Sequence, residues 1–348
     1  MIVIQIGLRK AGSASIQGFM SANEELLRRR GVEYPRIGRV QRTGHLNLAS
    51  ELRGRRNFDP AYGALAELAE HWRGSAAETL VISSEMFEDA TAAEAARLRD
   101  TLRRGDEEFR IVLVVRELID LMASSYGQKV KYGFNTYDFD TFFEKRIGES
   151  RVDYFATAAR WAGAFGWESL RARSLESPVG GDLVDDFLAA AGLDPGEAAL
   201  AMERPEAVNV SPGWRVLEAV RALYDGRSDL AAGHPLAGAA THERERRRLV
   251  GRSAMAAGER LGWNAARGGY LTGQQATRCL EINTWAVAAL NLHLAELLPA
   301  PRDLAARAFA DRPFPPDAVR IPAAELRAFY DEVGEAVVEA EAAMRSAV

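Results

Sequence analysis

The chain has 348 residues, enough for one large domain or two medium ones, and its 47% apolar and 27% charged residues are the balance of a globular protein. A single cysteine, Cys279, excludes an internal disulfide framework, and five scattered histidines give no zinc spacing, so no metal is expected. A formal charge of −5 argues against nucleic-acid binding, whose footprint is basic, and any anion site must therefore be local.

No apolar run approaches the ~20 residues of a membrane span and the start lacks a signal-peptide pattern, so a cytoplasmic location is expected. The first element is a strand, MIVIQI, which ends at Gly7; a helical period then runs from Ser13 to Arg30. Between them lies IGLRKAGSASIQ. Its glycines, Gly7 and Gly12, have the spacing of the phosphate loop G-x-x-x-x-G-K-[ST], but the next residues are Ser13 and Ala14, and the basic Arg9 and Lys10 sit inside the loop.

A strand, a glycine turn and a helix start point several backbone N–H groups and the positive end of a helix dipole at one spot. Lys10 adds a full charge there. Ala14 has no hydroxyl to hold the magnesium of phosphoryl transfer, whereas a sulfuryl group carries less charge, so a lysine and oriented amides suffice for its bridging oxygen. The plain alternative is a turn whose glycines serve backbone geometry alone.

Gly31 and Pro35 break the first helix, and TGHLNLASEL, with His45, starts a short one. A second strand is TLVISSE, residues 79 to 85, and a third is FRIVLVV, residues 109 to 115. The helix between them is capped by Thr91, with Glu94 three residues on. A fourth strand is LRARSLE, residues 170 to 176. Alternating strands and helices predict an α/β fold with a parallel sheet of four or five strands covered on both faces.

Beyond Pro178 the pattern is helical throughout, with an Ala-, Gly- and Arg-rich insertion at about 227–273, a charged run HERERRRLVGR facing solvent, and Ser211 capping the helix GWRVLEAVRAL. Trp161 and Trp285 lie at apolar helical spacing and are expected in the core. The third strand ends in Arg116, and Ser124 follows eight residues later on a helix over 118 to 130. Strand carboxyl ends are where open α/β sheets bind ligands, and the pair there could clamp a phosphate; singly, Arg116 would serve as well in a surface ion pair and Ser124 as a packing residue.

Together these segments resemble the sulfotransferases that use 3′-phosphoadenosine 5′-phosphosulfate (PAPS), in particular their bacterial branch. The resemblance is carried by IGLRKAGSASIQ, LVISSEMF, VVRELIDLMASSYGQKVKYG, the stretch from DYFATAARWAGAFG to GDLVDDFLAAAGL, VNVSPGWRVLEAVRAL and NTWAVAALNLHL. It implies a three-layer phosphate-loop fold in one domain, 1–348, with a nucleotide-binding core at 1–177 and a helical part at 178–348.

It further implies that Arg9, Lys10, Ala11, Gly12, Ser13, Ala14 and Ser15 cradle the phosphosulfate end, with Lys10 on the bridging oxygen. Arg116 and Ser124 would hold the 3′-phosphate, and the acceptor would be a hydroxyl of a saccharide, lipid or small metabolite. The family's loop usually reads K-x-G-T-T, so Ser13 and Ala14 leave one hydroxyl donor missing, worth ~1 kcal/mol. The expected general base is Glu85 at the end of the second strand, with His45 as its rival; the plain alternatives are a carboxylate favoured by a helix dipole for Glu85 and a structural ring for His45. A small-molecule kinase and a catalytically inactive nucleotide-binding homologue are the alternative readings.

Overall fold

Five short runs, dominated by β-branched and other apolar residues, build the sheet. In the computed structural model, which describes residues 1–40, 43–149, 152–179, 181–194, 203, 212–225, 234, 236, 244–265, 270–304 and 321–346, they are β1 (Ile2–Gln5), β2 (Val32–Glu33), β3 (Thr79–Ser83), β4 (Phe109–Val115) and β5 (Leu170–Ser174). All pair in parallel in the order β2-β3-β1-β4-β5. The register sets Gln5 of β1 beside Ser83 of β3 and Val112 of β4. Because β1 is central and the chain crosses from β3 over to β4, the loop after β1 emerges between two carboxyl ends, the usual place for a ligand in such a sheet.

β1 and β3 are buried along their whole length, and β4 nearly so, which requires helices on both faces. The chain divides into two compact units, Met1–Leu118 with Glu149–Val208 and Leu280–Arg302, and Ile119–Gly148 with Asn209–Cys279 and Asp303–Val348.

The first unit holds the sheet. Around it lie α1 (Ser13–Ala22), α2 (Glu24–Arg29), α3 (Leu46–Leu52), α4 (Leu65–Gly74), α5 (Ala92–Leu102), α8 (Tyr154–Phe165) and α9 (Leu183–Ala191). α9 packs on β4 and β5 and against α1; α8 packs on the same strands and against α5. A buried ion pair, Arg173 Nε to Asp186 Oδ1 at 2.7 Å, fastens α9 to β5. The expected helix from Ser13 to Arg30 is in fact two, because Asn23 turns its amide nitrogen back to the carbonyl oxygen of Phe19 at 2.9 Å and ends the first. Trp161 is fully buried and stacked on Phe165, but Trp285 is 57% exposed, beside Phe155, so its apolar spacing marks a partly uncovered helix face and not the core.

The second unit is helical: most of α6 (Leu118–Lys131), α7 (Phe139–Ile147), α10 (Trp214–Asp225), α11 (Arg244–Arg260), the start of α12 (Gly273–Asn291), and α13 (Ala323–Ser346). Its aromatic core gathers Phe139, Phe142 and Tyr270 around Tyr126, and Trp263 stacks on Phe329 at 4.9 Å. Burial pushes the Tyr126 phenol well above its usual range, so it stays neutral in this core. Residues 244 to 252 of the charged run belong to α11, while the first two of that run and Ser211 lie outside the described residues. Among the described residues no helix is long and apolar enough to cross a membrane.

The cap expected on α5 is a full capping box: the Glu94 amide donates to Thr91 Oγ1 at 3.2 Å and the Thr91 amide to Glu94 Oε2 at 2.8 Å. Thr91→Ala should therefore lower the unfolding free energy by about 1 kcal/mol, read as a lower denaturant midpoint with an unchanged slope. An unchanged midpoint would remove this cap from the stabilising interactions.

Candidate functional site

The loop after β1 is held on both sides by the neighbouring strands. The Leu8 amide donates to the Val114 carbonyl at 3.1 Å and the Val114 amide to the Gly7 carbonyl at 3.0 Å, so the chain leaves β1 still paired with β4. On the other side Gly7, at φ 108°, lies so close to the chain after β3 that a Cβ there would sit 3.2 Å from the Glu85 carbonyl oxygen. The loop closes at Gly12, φ 84°, where a Cβ would fall 2.1 Å from Leu183 Cδ2 of α9. Only glycine meets both demands.

Between them Lys10 takes a left-handed conformation, φ 67°, uncommon for a residue with a side chain. Its carbonyl accepts a hydrogen bond from Arg116 Nη1 at 2.7 Å. The guanidinium at the end of β4 is therefore turned toward the opening loop. Arg116 Nε lies 3.8 Å from Glu176 Oε1, and its own carbonyl accepts the Tyr154 hydroxyl.

α1 starts at Ser13 with Gly12 as N-cap and no side chain on the cap. The first amides of a helix have no intrahelical acceptor, so those of Ser13 and Ala14 offer their protons at the positive end of the dipole. Ala14 and Ser15 are exposed. Ser13 is buried, and its Oγ accepts from Gln5 Nε2 at 3.1 Å, while Gln5 Oε1 accepts the Ser83 hydroxyl at 2.6 Å. One buried amide thus ties β1, β3 and the start of α1 together.

Arg9 departs from expectation. Its amide donates to Glu88 Oε2 at 2.8 Å, its guanidinium pairs with Glu88, and it lies 3.0 Å from Asp89. Asp89 also collects Arg53 at 2.9 Å and Arg55 at 3.1 Å, and the Glu88 side chain is only 4% exposed. With its amide and its guanidinium both committed to Glu88 and Asp89, Arg9 is a tie between the loop and the 3-10 turn Glu85–Asp89.

Glu85 is the first residue of that turn and is half-buried, and its Oε2 accepts from Gln17 Nε2 of α1 at 3.1 Å. His45 is fully buried, with Nδ1 accepting the Ser83 amide at 3.1 Å and Nε2 donating to the Pro35 carbonyl at 3.0 Å. Burial first, then the positive charge of Arg39, pushes its pKa down to about 3. With both ring nitrogens engaged by backbone, His45 has no lone pair for a substrate proton. The expectation that it rivals Glu85 as base is corrected on that ground.

Ser124 lies half-buried on α6 in the second unit, and the boundary between units falls between it and Arg116. The sequence reading missed Glu88, Asp89, Gln5 and Gln17. Two signals were visible: Gln5 is the polar residue in MIVIQI, and EMFED places three carboxylates directly after a strand.

No protein-family model and no curated protein matches this chain. A crystal structure of a sulfotransferase from Alicyclobacillus acidocaldarius aligns with it at 18% identity and a TM-score of 0.37, over 60% of this chain and 85% of that one.

The buried neutral His45 makes stability depend on pH. Its folded pKa is depressed below the unfolded value of 6.5, so as pH falls through 6.5 the unfolded chain binds a proton that the native state refuses until about pH 3. Between pH 6.5 and 5 the wild type should lose about 1.6 kcal/mol more unfolding free energy than His45→Gln, measured by denaturant titration at each pH. Parallel pH profiles for the two proteins would contradict this.

Proposed function

We propose that the protein transfers a sulfuryl group from PAPS to a hydroxyl of a small-molecule, saccharide or lipid acceptor. The observation that carries the reading is the uncapped start of α1, facing a loop in which Lys10 is held in a left-handed turn by Arg116. Backbone N–H groups, a helix dipole and one ammonium suit an anionic group whose charge moves onto a bridging oxygen.

The Ser13 and Ala14 amides, the Ser15 hydroxyl and Lys10 would hold the sulfonated end of the nucleotide. Arg116 would offer the part of its guanidinium not used on the Lys10 carbonyl to the 3′-phosphate. When bound, the donor supplies the SO₃ group and a phosphate leaving group. Glu85 would accept the acceptor's proton: it stands at the carboxyl end of β3, its backbone touches Gly7, and Gln17 fixes one of its oxygens. Arg9 has a structural role here, as a tie.

Calorimetric titration with adenosine 3′,5′-bisphosphate, AMP and ATP tests the two-anion reading. A preference of about tenfold or more for the bisphosphate is expected, equivalent to about 1.4 kcal/mol; similar affinities for all three would overturn it. Lys10→Met should lower kcat for sulfate release from PAPS about 100-fold while the bisphosphate Kd changes only a few-fold. An unchanged kcat with a weakened Kd would assign Lys10 to binding alone.

A further inference from the structure

Gln17 is 95% buried on the first turns of α1 and carries a carboxamide with two different neighbours. Its Nε2 donates to Glu85 Oε2 at 3.1 Å. Its other edge lies against Gly44, so close that a Cβ at Gly44 would sit 2.6 Å from Gln17 Oε1, 2.7 Å from Cδ and 2.9 Å from Nε2.

Gly44 cannot retreat. The preceding carbonyl, of Thr43, accepts the Tyr34 hydroxyl at 2.6 Å; the Gly44 carbonyl accepts the Val40 amide at 3.0 Å; and the next amide, of His45, donates to the Ser83 carbonyl at 2.8 Å. The His45 ring adds the bond from the Ser83 amide. The buried histidine thus acquires a purpose: it pins the wall behind Gln17 to β3, the strand that ends at the turn carrying Glu85.

We infer that Gln17, backed by the absence of a side chain at Gly44, is a positioning residue that aims the Glu85 carboxylate. The inference rests on the reading of Glu85 as the general base. A carboxylate that accepts a fixed amide proton on one oxygen presents the other, and a misplacement of even 1 Å at a proton acceptor lowers the rate without weakening nucleotide binding. Gly44 lies outside the left-handed region, so alanine is conformationally allowed there and its methyl acts on the flexible end of Gln17. The wall behind it is held by four hydrogen bonds, and so the carboxamide is what moves.

The test uses sulfate release from PAPS, with water standing in for the acceptor. There the water oxygen bonds to sulfur, the bond from sulfur to the bridging oxygen breaks with its electron pair left on the nucleotide phosphate, and the water proton passes to Glu85. Gln17→Leu and Gly44→Ala should each lower kcat about tenfold with the calorimetric Kd for adenosine 3′,5′-bisphosphate within about twofold of wild type. Added to Glu85→Gln, neither should cause a further loss.

A parallel weakening of bisphosphate binding, an unchanged kcat in either variant, or losses that add to that of Glu85→Gln would make Gln17 a packing residue and overturn the inference. Glu85→Gln with an unchanged rate would instead overturn the assignment of the base itself, so the two failures are told apart.

Discussion

Two side-chain bonds hold the loop after β1 in shape, and the rest of the site depends on them. Glu88 accepts the Arg9 amide from one side, and Arg116 donates to the Lys10 carbonyl from the other. They come from the chain following β3 and from the end of β4, the two neighbours of β1, so the sheet order itself sets the distance across which the loop is stretched. A loop held this way keeps Lys10 in a conformation that a free peptide avoids, and it leaves the first amides of α1 unspent.

Beneath the loop runs a buried polar layer. Gln5 joins Ser13 to Ser83, the Ser83 backbone is bonded to His45, and Gln17 joins α1 to Glu85. In an interior of low dielectric, each satisfied bond of this kind is directional, and breaking one leaves a desolvated partner behind. That layer gives a short sheet of apolar strands a specific top surface. It also explains why a histidine with a strongly depressed pKa is kept there: the neutral ring bridges two backbone segments that no aliphatic side chain could join.

Much of the first unit was legible in the sequence because its signals are local. FRIVLVV reads as a buried strand and is β4 over the expected residues, and Thr91 with Glu94 announces a helix start that the capping box realises. β2 was not legible, since two residues carry no periodicity; its existence depends on pairing with β3. The loop residues were legible as a group, but the direction of Arg9 was not, because spacing says nothing about the carboxylates of Glu88 and Asp89, which sit 79 and 80 residues away in the chain. His45 misled for a related reason: its intrinsic pKa suits proton transfer, and only burial, a tertiary property, removes that use. Trp285 shows the reverse, an apolar spacing without cover.

The central claim is that the amides at the start of α1 form the anion cradle. The most direct measurement is the set of backbone amide NMR shifts of Gly12, Ser13, Ala14 and Ser15 during titration with adenosine 3′,5′-bisphosphate. These amides should move downfield together and saturate with a common Kd, as N–H groups do on taking up an anionic acceptor. Saturable binding that leaves all four unmoved while amides elsewhere respond would contradict it.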